Sequence, residues 1–329
     1  ALVGFLDAVV ITWSNIRGVK EAGIVQTFVV LFLLAIGVVM IAGSFTGGSV
    51  ANMEPWFNGG MNGFFAVLVV VPFLFIGFDV IPQSAEEVNI PAKQIGKLVV
   101  VSVVLATIWY VMVILTTSSA MPASELAGAD IATADAVGAM FGSDVMAKIL
   151  IAGGIAGILT SWNSLLMGAS RLMYSLARSG MLPAWFGKLH PKYHTPHNAL
   201  LFIGALSFLA PFGGAEMLGW LVDSGAPSIV LAYTLVAVAF LLLRRREPAM
   251  DRPLRIGGRA AVFGTALFSL YMPGMPAQLG MEPWVLFGLW WVIGGFFFFR
   301  VPGGIKAGPD AEEHVLAKLR QKQKVMTDN

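Results

Sequence analysis

The stretch FIGFDVIPQSAEE, residues 75–87, gathers ionisable and helix-breaking residues inside an otherwise apolar run. Asp79 is costly there, since a carboxylate at bilayer depth opposes insertion by roughly 2.5 to 3.5 kcal/mol. Pro72, Gly77 and Pro82 recur every five residues. Each proline removes an intrahelical hydrogen bond, and glycine gives up backbone entropy in a helix. Together they predict that the helix unwinds around residues 76–80. Such backbone survives at membrane depth only where it is buried in protein or lines a wet cavity. Its free N–H and C=O groups are then a recognition surface for a small polar solute. Phe75 and Phe78 flank the break and can close over a ligand. A plain proline kink, with Asp79 capping the second half-helix, is the alternative, and the two readings are compatible.

Other polar residues sit near apolar runs. Thr160, Ser161 and Ser164 are hydroxyls near mid-span in LTSWNSLLMG; such hydroxyls often bond back to carbonyls of their own helix. Gly153 and Gly157 form a GxxxG, which marks close helix packing more readily than a ligand. Asp223 and Trp220, in WLVDSGAPS, fall near the outer end of a span. Asp223 lines a vestibule, carries a proton or is simply solvated, while Trp220 is either a gate aromatic or an interface anchor. The histidines of HPKYHTPH lack neighbouring carboxylates and thiols, a poor metal site. The chain has no cysteine, and no HExxH, GxSxG or Walker A pattern, so no enzyme, metal or cofactor chemistry is expected.

These residues need elements to hold them. The chain is 57% hydrophobic and 12% charged, with a mean hydropathy of +0.78. Soluble chains carry about 25% charged residues, so this is an all-α polytopic membrane protein. A span needs roughly 20 apolar residues. The pattern gives a partial run at 1–13 and spans near 24–43, 61–83, 97–118, 146–173, 198–212, 217–243, 260–279 and 284–300. The gap 119–145, rich in Ala and Gly, suits short helices lying over a membrane face. When the gaps are assigned alternately to the two sides, 20 of the 21 basic residues fall on one, and only Lys148 lies on the other. The positive-inside rule makes the first side cytoplasmic. RRREPAMDRPLR (244–255) then fixes topology and touches anionic lipid, and no nucleic-acid partner is expected. Residues 1–300 form the transmembrane domain and 301–329 a cytoplasmic tail.

Three stretches carry a family resemblance. FIGFDVIPQSAEEVNIPAKQIGK is similar to the sixth helix and following loop of the amino acid–polyamine–organocation superfamily. NIRGVKEAGIVQ (15–26) resembles the loop before the fifth helix. GASRLMYSLARSGMLPAWFGKLHPKYHTPHNA (168–199) resembles the end of the eighth helix and its inner loop. Ile90 departs from the pattern, where an Asn often precedes the Pro91 position. The match runs over nearly the whole chain and implies an N-terminally truncated permease, from the end of helix four through helix twelve. The implied fold is a partial (5+5) inverted repeat with a broken sixth helix. The Gly-rich first-helix motif that holds a substrate carboxylate in this family has no counterpart in these residues.

The resemblance implies secondary transport of an amino acid across the cytoplasmic (plasma or inner) membrane by alternating access. Backbone carbonyls near Phe75 and Ile76 would take the substrate's ammonium, Gly77 would give room for its side chain, and Asp79 would fix the break or act on the amine. Sodium-coupled relatives use hydroxyls at the Thr160, Ser161 and Ser164 positions, and Glu86 and Glu87 match acids of an inner gate. Some proton-coupled members carry a Lys near the place of Leu33, which is absent here. Coupling to H+ or Na+, or exchange, therefore stays open. The alternatives are a permease for an amine such as a polyamine or ethanolamine, with Asp79 as counter-charge, and a non-transporting solute sensor of the same fold.

Overall fold

The computed structural model describes residues 2–17, 20–56, 59–83, 90–248 and 280–300. Glu86 and Glu87, the span expected at 260–279 and the tail 301–329 lie outside the described residues. Within them all regular structure is helical. The helices are α1 (Leu2–Arg17), α2 (Lys20–Gly47), α3 (Gly60–Leu74), α4 (Val80–Gln83), α5 (Ala92–Ala120), α6 (Ala123–Gly128), α7 (Ala132–Phe141), α8 (Asp144–Arg178), α9 (His197–Leu209), α10 (Gly214–Arg246) and α11 (Met281–Phe299). Every described span expected from the apolar pattern has a helix over it.

Five of these helices are long and apolar enough to cross a membrane: α2, α5, α8, α10 and α11. Their outward faces would be untenable in water. Phe28 is 70% exposed, Ile158 68% and Val292 70%. An apolar surface this extensive marks contact with lipid. Among the described residues no charged side chain is buried. At 35 residues α8 is about 52 Å long, well beyond the ~30 Å hydrocarbon layer, so it projects past it. Asp144 opens α8 and Arg178 closes it, each complementing the helix dipole.

The 119–145 gap folds as the two short helices α6 and α7, as its composition predicts, but α7 does more than cover a face. Ala134, Ala136, Val137 and Met140 of α7 are buried, and the helix packs against α2, α5 and α8. Small residues make the approach possible. A Cβ on Gly43 would run into Phe141, and one on Gly47 into the Met140 carbonyl. Gly142, at φ 57°, ends α7 in the left-handed conformation that favours glycine.

The GxxxG of α8 is a packing device. A Cβ on Gly153 would meet Ile36 of α2, and one on Gly157 would come within 3.1 Å of Leu33. Leu33 therefore fills the groove that those glycines leave. The HPKYHTPH loop is a structural clasp. His190 Nδ1 accepts the amide N–H groups of Lys192 and Tyr193 at 3.2 and 3.3 Å. Thr195 donates its hydroxyl to the Ile16 carbonyl at 2.8 Å, tying the loop to the end of α1.

Candidate functional site

The membrane element containing the opening motif is broken where the sequence predicts it. Helix α3 stops at Leu74, residues 75–79 are irregular, and α4 resumes at Val80. Pro72 sits in the last turn of α3 and Pro82 inside α4, so both half-helices lack a donor close to the break. Gly77 takes φ 122°, a conformation that side chains rarely adopt. That single torsion lets the chain turn out of one helix and into the next.

Hydrogen bonds account for most of the backbone here. The Phe75 N–H donates to the Pro72 carbonyl at 3.2 Å, and the Ile76 N–H to Phe73 at 3.3 Å. On the inner side Val80 donates to Gly77 at 3.1 Å, and Ile81 to Phe78 at 3.3 Å. The Tyr110 hydroxyl of α5 donates to the Leu74 carbonyl at 2.6 Å. Among the described residues no hydrogen bond ends on the carbonyl oxygens of Phe75 or Ile76. Two adjacent carbonyl acceptors without a partner among the described residues can take a cationic donor such as an ammonium.

Asp79 acts on the break in a way the capping reading does not describe. Its Oδ1 accepts the Gly77 N–H at 3.0 Å, and its Oδ2 accepts the Gln83 carboxamide at 3.0 Å. An N-cap side chain reaches forward to the first amides of its helix. This one reaches back to Gly77 and across to a side chain, bracing the break from both sides. Hydrogen bonds to a charged acceptor contribute about 1.5 to 3 kcal/mol each, so the brace is substantial.

The surroundings are apolar and aromatic. A cavity of about 240 Å³ lies between the break and α5, with Phe75, Ile76, Gly77, Phe78, Val103 and Ala106 in its wall. Phe75 meets Tyr110 edge-to-face at 5.5 Å, and Phe78 lies 5.2 Å from the Tyr233 ring of α10. Sequence reasoning found Phe75 and Phe78 but missed Tyr110 and Tyr233. Neither tyrosine stands out locally; their proximity to the break is a matter of helix packing.

The other residues singled out lie elsewhere. The Thr160 hydroxyl donates to Gly157 at 3.0 Å, and Ser164 donates to Thr160 at 3.1 Å. Ser164 also accepts the Gln26 carboxamide of α2 at 2.7 Å. Ser161 is exposed on the surface of α8. Trp220 and Asp223 precede Tyr233 on α10 by thirteen and ten residues, placing them about 20 and 15 Å farther along the helix. They are not brought to the break.

Comparison with known proteins identifies the family. The amino acid permease family model matches residues 2–299. The chain is 31% identical over 300 residues to the branched-chain amino acid permease BcaP of Bacillus subtilis (strain 168), covering 91% of this chain and 63% of that protein. It is 28% identical over 289 residues to the methylthioribose transporter of the same organism, covering 86% of this chain and 60% of that protein. The gamma-aminobutyric acid permease of Escherichia coli (strain K12) is 25% identical over 276 residues, 78% of this chain and 58% of that protein. The chain thus spans about three fifths of these relatives, along a stretch that includes the break, its brace and the helices around them. It belongs to the amino acid permease family of the amino acid–polyamine–organocation superfamily.

Proposed function

We propose that this chain is the greater part of a secondary active transporter that moves an amino acid across the cytoplasmic membrane by alternating access. The observation that carries the reading is the pair of carbonyls, Phe75 and Ile76, that accept no hydrogen bond among the described residues, in a five-residue break within an apolar helical element. They receive the substrate ammonium, and the apolar cavity beside Gly77 receives its side chain. The names of the relatives support the same class: one is a branched-chain amino acid permease and another a gamma-aminobutyric acid permease. Coupling runs through a proton or sodium gradient or through exchange. Residues 1–300 work as the transmembrane domain, and 301–329 extend from it on the cytoplasmic side.

An amine permease would use the Asp79 carboxylate as counter-charge to its substrate. Both oxygens of Asp79 brace the break, through Gly77 and Gln83, and we assign the residue to that role rather than to the substrate. The experiment is uptake of labelled leucine into liposomes containing the complete protein. Saturable uptake driven by an imposed H+ or Na+ gradient, or by exchange, is the expected result. Saturable binding without flux would identify a sensor of the same fold, and neither binding nor flux of any amino acid would overturn the reading.

A further inference from the structure

The two halves of the broken element are packed mainly by different neighbours. Helix α3 packs against α10 and α4 against α8, while α5 touches both, packing on α4 and reaching the end of α3 through Tyr110 and the Leu74 carbonyl. Residues 75–79 are thus a joint between two separately anchored pieces, and Asp79 bridges it. Its Oδ1 holds Gly77 within the joint, while its Oδ2 holds Gln83 at the end of the inner piece. One further contact ties this bridge to α8. A Cβ on Gly168 would collide with Gln83 Oε1 and come within 2.9 Å of Val80 Cγ2. Gly168 is buried, so the space that its missing side chain leaves is taken by the Gln83 carboxamide.

The geometry is selective. The Gln83 carboxamide presents its NH₂ to Asp79 and its oxygen toward α8. A side chain of the same length without a donor would leave the Asp79 oxygen unserved. A carboxylate there would set two like charges face to face, which is unfavourable at any depth. A bulkier residue at position 168 would push Gln83 off its line.

We propose that Gln83 and Gly168 are positioning residues of the transport cycle: α8, through Gly168, aims the Gln83 carboxamide at Asp79 and so sets the angle of the joint at residues 75–79. This rests on the reading that the solute binds at that joint. The pair touches no part of the free carbonyls, so it acts through Asp79 on the balance of conformations rather than by contacting the ligand. A ligand shifts that balance only through its differential affinity for the two states, and altering the joint changes how far the shift goes.

The test uses the complete protein in liposomes with Gln83→Met, Gln83→Glu, Gly168→Ala and the double variant Gly168→Ala with Gln83→Asn. Two signals are read: leucine flux, and the leucine-dependent change in thiol-reagent labelling of a single cysteine at Ser102→Cys, beside the joint. Met and Glu are close in size to Gln, so a pure packing role would leave both signals near wild type. The expected result is a loss of flux of about tenfold or more in both, with apparent leucine affinity within about threefold. The leucine-dependent labelling change should shrink in parallel. Gly168→Ala should show the same defect, and Gln83→Asn, which clears the new methyl group but is too short to reach Asp79, should not restore it. Wild-type behaviour of Gln83→Met and Gln83→Glu, or a Gly168→Ala defect that Gln83→Asn relieves although it cannot reach Asp79, would overturn the proposal. Should a single variant fail to assemble, the double variant and the other substitutions decide it. If the wild-type protein carries no flux, the transport reading fails on its own, while the labelling response still decides whether Gln83 and Gly168 set the joint.

Discussion

At the scale of single residues, Gly77 and Asp79 carry the site by different means. Gly77 supplies a torsion, φ 122°, with nothing within 4 Å of where a Cβ would stand. Gly77→Ala therefore meets strain rather than collision. It should lower stability by about 1 to 3 kcal/mol, read as a reduced melting temperature in detergent. An unchanged melting temperature would mean that the torsion is not required. Asp79 supplies two acceptors. Asp79→Asn keeps an acceptor for the Gly77 N–H, and Gln83 can turn its carboxamide to meet the new NH₂. The relative uptake of zwitterionic and amine substrates is expected to stay unchanged in competitive assays, whereas a counter-charge role would selectively lose amine uptake. These two residues were legible in the sequence because a glycine and an acid are conspicuous in an apolar run. What each oxygen of Asp79 holds was not, since Gly77 and Gln83 flank it along the chain as two of many candidates, and only the folded joint selects them.

At the scale of elements, the prolines and glycine specified a broken helix, and the break appears at residues 75–79 against an expected 76–80. The length of the apolar runs located each described span, because hydrocarbon thickness sets that length. Which helix grips which was hidden. Tyr110 reaches Leu74 across 36 positions of chain, and Gln26 reaches Ser164 across 138; no local pattern encodes such pairings. The Gly153/Gly157 groove is the exception, since small residues four apart announce close packing. Gly153→Leu should overfill the contact with Ile36 and destabilise the α2–α8 pair by about 1 to 3 kcal/mol, measured by thermal unfolding. Combining it with Ile36→Ala should recover part of that loss, and no recovery would place the contact elsewhere.

At the scale of the whole molecule, charge predicts the orientation. Arg17 stacks over Trp13, Arg244 over Phe240 and Arg300 over Phe296, each four residues on, at the ends of α1, α10 and α11. All three arginines belong to the side that carries 20 of the 21 basic residues. An aromatic body with a cationic tip is the side-chain arrangement that suits a membrane interface. With single cysteines, Ser124→Cys in α6 should react with an impermeant maleimide in intact cells. Lys192→Cys should react only after permeabilisation, and the reverse pattern would invert the topology. The proposed function puts the solute at the break, beside the Phe75 and Ile76 carbonyls, which accept no hydrogen bond among the described residues. Ligand protection at that point tests the reading most directly. In the complete protein with one cysteine at Ile76→Cys, saturating leucine should slow thiol labelling by about threefold or more, as expected for a site mostly occupied at saturation, while ethanolamine and putrescine leave it unchanged. Labelling that leucine does not slow, in protein that still takes up leucine, would show that the amino acid binds somewhere other than the break.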